Sequence, residues 1–114
     1  MSRLDEFNET IKFLSKYYPQ EVAAFTSFLE KVERKGALDT KTKELIALAI
    51  GVVKHCEWCI HYHVKGARNA GATAQEILEA AWVGVLMDGG PGLAHIFPVI
   101  KALEEFHIID DLRK

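Results

Sequence analysis

Every long apolar pattern in this chain has the period of an α-helix, and none alternates as a half-buried strand does. Leu4, Phe7, Ile11, Leu14 and Tyr18 recur at steps of three and four residues, and Val22, Phe25, Leu29 and Val32 do the same after Pro19. With only three prolines in 114 residues, helices have few interior breaks. The turn signals divide the chain into about six helical segments, so the expected fold class is all-α, a helical bundle. The first segment runs from Ser2 to Tyr17, and the second opens at Pro19 and ends at Gly36. The third starts near Asp39 or Thr40, both good N-caps, and is apolar all round beyond Glu44. The fourth covers Glu57 to Asn69 and stops at Gly71. The fifth opens with a Thr73–Glu76 capping box and breaks at Gly89-Gly90-Pro91-Gly92. The last runs from Leu93 to Phe106, with Pro98 kinking it or delaying its start. The tail from His107 reads as a loose end or a subunit contact.

A chain of this length is one domain, here residues 1–114. Its third and fifth helices carry more apolar surface than so small a subunit can cover, which predicts a homo-oligomer. The net charge is −2 with no basic run, so nucleic-acid binding lacks electrostatic support. The longest apolar run, Leu45 to Val53, is far too short for a bilayer, and no apolar signal region opens the chain. A cytoplasmic location without membrane attachment is the expectation. The Gly-rich stretch at 89–92 lacks the Lys-Ser/Thr of a phosphate loop and reads as a helix break.

The chemistry concentrates in one run. Cys56, Cys59 and His63 stand at i, i+3 and i+7, which puts all three on one helix face. A cysteine pair two residues apart closes too small a loop to serve as a structural staple, and in a reducing compartment it reads as redox-active or metal-binding. Cys56 lies at a helix start, where free N–H groups favour a thiolate. His63, one turn beyond Cys59, is the candidate base for that sulfur, and Glu44 is the carboxylate that would orient the imidazole if the third and fourth helices form a hairpin. His55 and His61 read as bystanders, and Trp58 and Trp82 as core or pocket wall.

The spacing Glu44-x11-Cys56-x2-Cys59-x3-His63, with the flanking ELIALAIGVVKHCEWCIHYHVKGARNAGAT and EILEAAWVGVLMDGGPGLAHIFPVIKALEEF, resembles the alkylhydroperoxidase D-like branch of the carboxymuconolactone decarboxylase family. The similarity spans Leu38 to Phe106. It divides the domain into an N-terminal helical hairpin, 1–37, and a family-like core, 38–106. It implies an all-α subunit assembled into trimers or hexamers. It also implies that Cys59 is the peroxide-attacking thiolate, Cys56 the resolving thiol, His63 the proton relay and Glu44 the distal base. The helix-start argument instead makes Cys56 the more acidic thiol. The hydroperoxidase itself carries a second histidine just before the second cysteine, where this chain has Trp58.

The leading expectation is therefore a thiol-dependent antioxidant enzyme without cofactor or bound metal, taking a small hydroperoxide and an external dithiol reductant protein as partners. A disulfide reductase is the nearest alternative. The second class is a zinc module built on Cys56, Cys59 and His63, with Glu44 or His55 as a fourth ligand. The third is a lactone decarboxylase-like enzyme that shares only the fold.

Overall fold

The computed structural model describes residues 2–113, and within them every regular element is helical. The helices are α1 (Arg3–Tyr17), α2 (Pro19–Glu33), α3 (Thr40–Val53), α4 (Glu57–Asn69), α5 (Ala74–Asp88), α6 (Gly90–Ala94) and α7 (Ile96–Glu105), followed by a 3-10 turn over Ile108–Arg113. The caps explain most of these boundaries. Ser2 and Asp5 close a reciprocal capping box on α1, and Thr73 and Glu76 close the expected one on α5. Asp39 rather than Thr40 caps α3, its carboxylate accepting the Thr42 N–H at 2.8 Å. The Thr40 hydroxyl turns back to donate to the Glu33 carbonyl at 2.8 Å, which ties α3 to the end of α2.

α3 is the central element and packs against both α4 and α5, while α7 closes the other side of α4. Leu48 and Val52 of α3, Ile60 and Val64 of α4, Ile77 and Ala81 of α5, and Val99 and Leu103 of α7 form one dry core. One glycine sets the spacing of α3 and α5. A Cβ on Gly84 would lie 2.8 Å from the Ala49 carbonyl oxygen. Such close backbone approach requires glycine at Gly84. No helix among the described residues is long and apolar enough to cross a membrane.

Several expectations need correction. The segment 89–106 is two helices, because Gly89 takes φ 73° and ends α5, after which Gly90 and Pro91 begin a new short helix. Pro98 stands in the first turn of α7, which starts at Ile96, later than Leu93, in keeping with the delayed start. It occupies the third position, where its missing N–H has no intrahelical partner to lose. The second helix stops at Glu33, three residues before Gly36. The tail is not loose: Ile108 is fully buried, and Asp111 takes a two-pronged ion pair from Arg68 and also accepts the Ala74 N–H at 3.1 Å. Lys114 lies outside the described residues. Trp58 and Trp82 are exposed rather than part of the core; the Trp58 indole donates to Glu6 beneath the Arg3 guanidinium. Finally, neither α1 nor α2 contains a buried residue. Their apolar stripes leave Leu14, Tyr18, Phe25 and Val32 exposed, and Phe13, Tyr17 and Phe28 beside them are more than half exposed.

Candidate active site

Cys56 is the N-cap of α4, and its sulfur accepts the Cys59 N–H at 3.2 Å. The two cysteines form a disulfide across the first turn, with Cα atoms 5.2 Å apart. The approach to this turn is tight. After α3, Lys54 and His55 reverse the chain, His55 adopts φ 56°, and the Cys56 N–H returns to the Gly51 carbonyl at 3.1 Å. α3 and α4 therefore form the hairpin on which a meeting of Glu44 and His63 depended, and it brings the two together.

Glu44 is 3 % exposed, and its Oε2 lies 3.1 Å from Nδ1 of His63. A carboxylate can only accept, so a neutral His63 in this contact carries its proton on Nδ1 and leaves the Nε2 lone pair open. That is the tautomer a proton acceptor needs. The room for the carboxylate comes from Gly66, one turn further along α4: a Cβ there would collide with the Glu44 side chain. The Tyr62 ring stands edge-on to His63 at 5.0 Å between centroids and is itself held by Phe7 of α1 at 5.1 Å.

A third acid joins the site. Glu33, the last residue of α2, brings a carboxylate oxygen into a cluster with Glu44 and His63 in which the three polar atoms lie within 4.8 Å of one another. The hydrogen bond to Glu44, burial and the Glu44 charge together push the Glu33 carboxyl up to about 7. Burial pushes Glu44 in the same direction, but its hydrogen bonds with His63 and Glu33 outweigh that, and its carboxyl is lowered. Two carboxyls this close favour holding one proton between them. Burial together with the charges of both acids raises the Tyr62 hydroxyl. Glu33, Glu44, Tyr62 and Gly66 also line a cavity of about 280 Å³ that opens beside Lys65 and Asn69.

In this disulfide form each sulfur is bonded to the other, and neither joins the Glu33–Glu44–His63 cluster. His55 and His61 stand apart from the cluster. His61 is buried against Glu105 at 3.2 Å, and His55 pairs with Asp88 at 2.6 Å and stacks on His95. Glu33, Tyr62 and Gly66 were not singled out by the sequence. Of the three only Gly66 carried a signal, as a glycine inside a helix, where it costs about 1 kcal/mol relative to alanine unless packing requires it.

The model of the carboxymuconolactone decarboxylase family matches residues 19–102. The chain belongs to the carboxymuconolactone decarboxylase family. Membership takes in α2 as well as the core helices. Uncharacterized protein 4 of the cox locus of Paracoccus denitrificans is 46 % identical over 82 residues, covering 72 % of this chain and 74 % of that one. A family protein from Legionella pneumophila, solved in its apo form, superposes with a TM-score of 0.85 at 36 % identity, over 91 % of this chain and 93 % of that one. A family protein from Thermotoga maritima, for which a part in the antioxidative response has been suggested, matches at 28 % identity with a TM-score of 0.80, over 96 % and 93 % of the two chains.

Proposed function

We propose that this protein reduces small hydroperoxides through Cys56 and Cys59, with His63 and Glu44 as the proton relay. The observation that carries the reading is the buried Glu44 carboxylate bonded to Nδ1 of His63, on the same helix whose first turn holds the cysteine pair. The suggested antioxidative part of the Thermotoga protein agrees with it.

In the reduced protein the Cys59 thiol passes its proton to His63, and the thiolate attacks the distal oxygen of ROOH. The O–O bond breaks, the alkoxide leaves as ROH with the relay proton, and Cys59 becomes a sulfenic acid. Cys56 then attacks that sulfur and expels water, giving the disulfide present here. The sum is two thiols plus ROOH giving a disulfide, ROH and water, and an external dithiol protein restores the pair by exchange. A reducing cytoplasm suits such a cycle. Disulfide exchange without peroxide needs the same pair, and the exposed Trp58 in place of a second histidine keeps it as the second reading.

Single-turnover oxidation of each reduced variant by an organic hydroperoxide, followed by intact mass, tests the proposal. Cys59→Ser should abolish sulfenate formation, Cys56→Ser should trap it, and His63→Ala should slow it about a hundred-fold or more. Glu44→Gln should weaken the reaction with the fold retained. Sulfenate formation that survives Cys59→Ser but not Cys56→Ser would reverse the two roles.

The same reading includes a closed homo-oligomer, a trimer or a hexamer. α3 and α5 pack together yet leave Ile46, Ile50, Trp82, Val83, Leu86 and Met87 exposed, the last two by more than three-quarters. So much apolar surface on adjoining helices suits a second copy. Light scattering that gives a clean monomer at micromolar concentration would contradict it.

A further inference from the structure

We propose that Glu33 is a positioning residue that forms, with Glu44, a one-proton store at the far end of the His63 relay, holding the proton taken from Cys59 until the leaving alkoxide needs it. The inference rests on the hydroperoxide reading above and adds to it the destination of the proton.

The geometry is a cluster of three groups from three helices. His63 of α4 bonds Glu44 of α3, and a carboxylate oxygen of Glu33 of α2 lies within 4.8 Å of the polar atoms of both. Two carboxylates this close cannot both stay charged at little cost, so the pair takes up one proton readily. The neighbours do not neutralise Glu33. Lys43 of α3 spends its ammonium on the Val32 and Arg34 carbonyls at 2.8 and 2.7 Å, and Thr40 donates to the Glu33 carbonyl rather than to its carboxyl. From α4, Tyr62 and Lys65 line the same cavity, and α1 contributes the apolar Leu4. Glu33 is half-buried on this cavity, so the store can also exchange with water.

The charge logic gives a direction. When Glu33 is protonated it donates to Glu44, which then accepts poorly from His63. When Glu33 is ionised the pair carries two charges and accepts a proton strongly. The switch between these states falls near pH 7, where the Glu33 carboxyl titrates. In glutamine the amide N–H donates permanently, so Glu33→Gln freezes the poorly accepting state.

Two measurements test this. In the disulfide form no thiol titrates, so a carbon-13 titration of glutamate-labelled protein reads the carboxyls alone. One carboxyl with a midpoint near neutral pH is expected in the wild type, absent in Glu33→Gln. In single-turnover peroxide reduction, Glu33→Gln should match the wild type at pH 6 and fall about tenfold below it at pH 8, the equivalent of one unit of base strength. A merely structural role would lower the rate equally at both pH values. An unchanged neutral titration in Glu33→Gln, or rate profiles that run parallel, overturns the proposal. The wild-type titration needs no variant and no peroxide: if His63→Ala leaves peroxide reduction untouched, the function proposed above fails while the titration still reports on Glu33.

Discussion

The α1–α2 hairpin and the α3–α4–α5–α7 core are both built from amphipathic helices, yet they hold to the fold in different ways. The core buries whole leucine, isoleucine and valine side chains, seven of them without measurable exposure. The hairpin buries none and is fastened at points: Phe7 against Tyr62, Arg3 to Glu57, Lys43 and Thr40 to the carbonyls at the end of α2. The radius of gyration, 14.4 Å, exceeds the roughly 13 Å of a compact domain of this length, as a hairpin standing off a core requires. An apolar stripe is thus a necessary condition for burial and not a sufficient one. The hairpin's contribution to the chemistry is one residue, Glu33, placed by its last turn.

The difference can be tested by substitution. The largest effect on stability is expected for Leu48→Ala, about 2–5 kcal/mol in denaturant melts, since a buried leucine leaves a cavity among α3, α4 and α5. A loss below about 1 kcal/mol would mean that the core is loosely packed. Gly66→Ala should cost about 1–3 kcal/mol, because either Glu44 or α4 must move. It should also slow the peroxide reaction, which a surface substitution would not do. Asp111→Ala should cost about 1–3 kcal/mol by removing the two-pronged acceptor of Arg68, which keeps only the Ala72 carbonyl, and by leaving the Ala74 N–H without its acceptor. An unchanged melt would return the tail to a loose end.

The pH effect is smaller. The folded Glu33 carboxyl is raised from its ordinary 4.5 to about 7. Its contribution to stability is therefore fully present below about pH 4.5 and lost as pH rises through 7. Screening by water reduces it to about 1 kcal/mol, and Glu33→Gln should flatten this part of the stability profile. Glu44, held low, acts in the opposite sense, losing its contribution as pH falls. The smallest effect is expected for Phe28→Ala, within about 0.5 kcal/mol for the separated subunit, because the ring is already 59 % exposed. A loss of several kcal/mol would show that the assembled protein covers the hairpin.

What the sequence determined by itself was local. Helical spacing and caps placed α1, α3, α4 and α5, and the i, i+3, i+7 pattern put Cys59 and His63 one turn apart on α4 with Cys56 at its N-cap, because both depend only on residues within two turns of each other. Glu44 was legible as a candidate, a lone carboxylate opening an apolar helix at the spacing of the family it resembles, but its meeting with His63 depended on a hairpin that the sequence did not prove. Tertiary structure decided the remainder. Glu33 joins Glu44 only because Thr40 and Lys43 fasten the end of α2 there, and Gly66 matters only because a carboxylate from another helix fills its missing side chain. The burial of Ile108 and the exposure of Trp58 and Trp82 likewise follow from which helix faces meet. A sequence records the polarity of each face, and the partner of each face is a property of the packed whole.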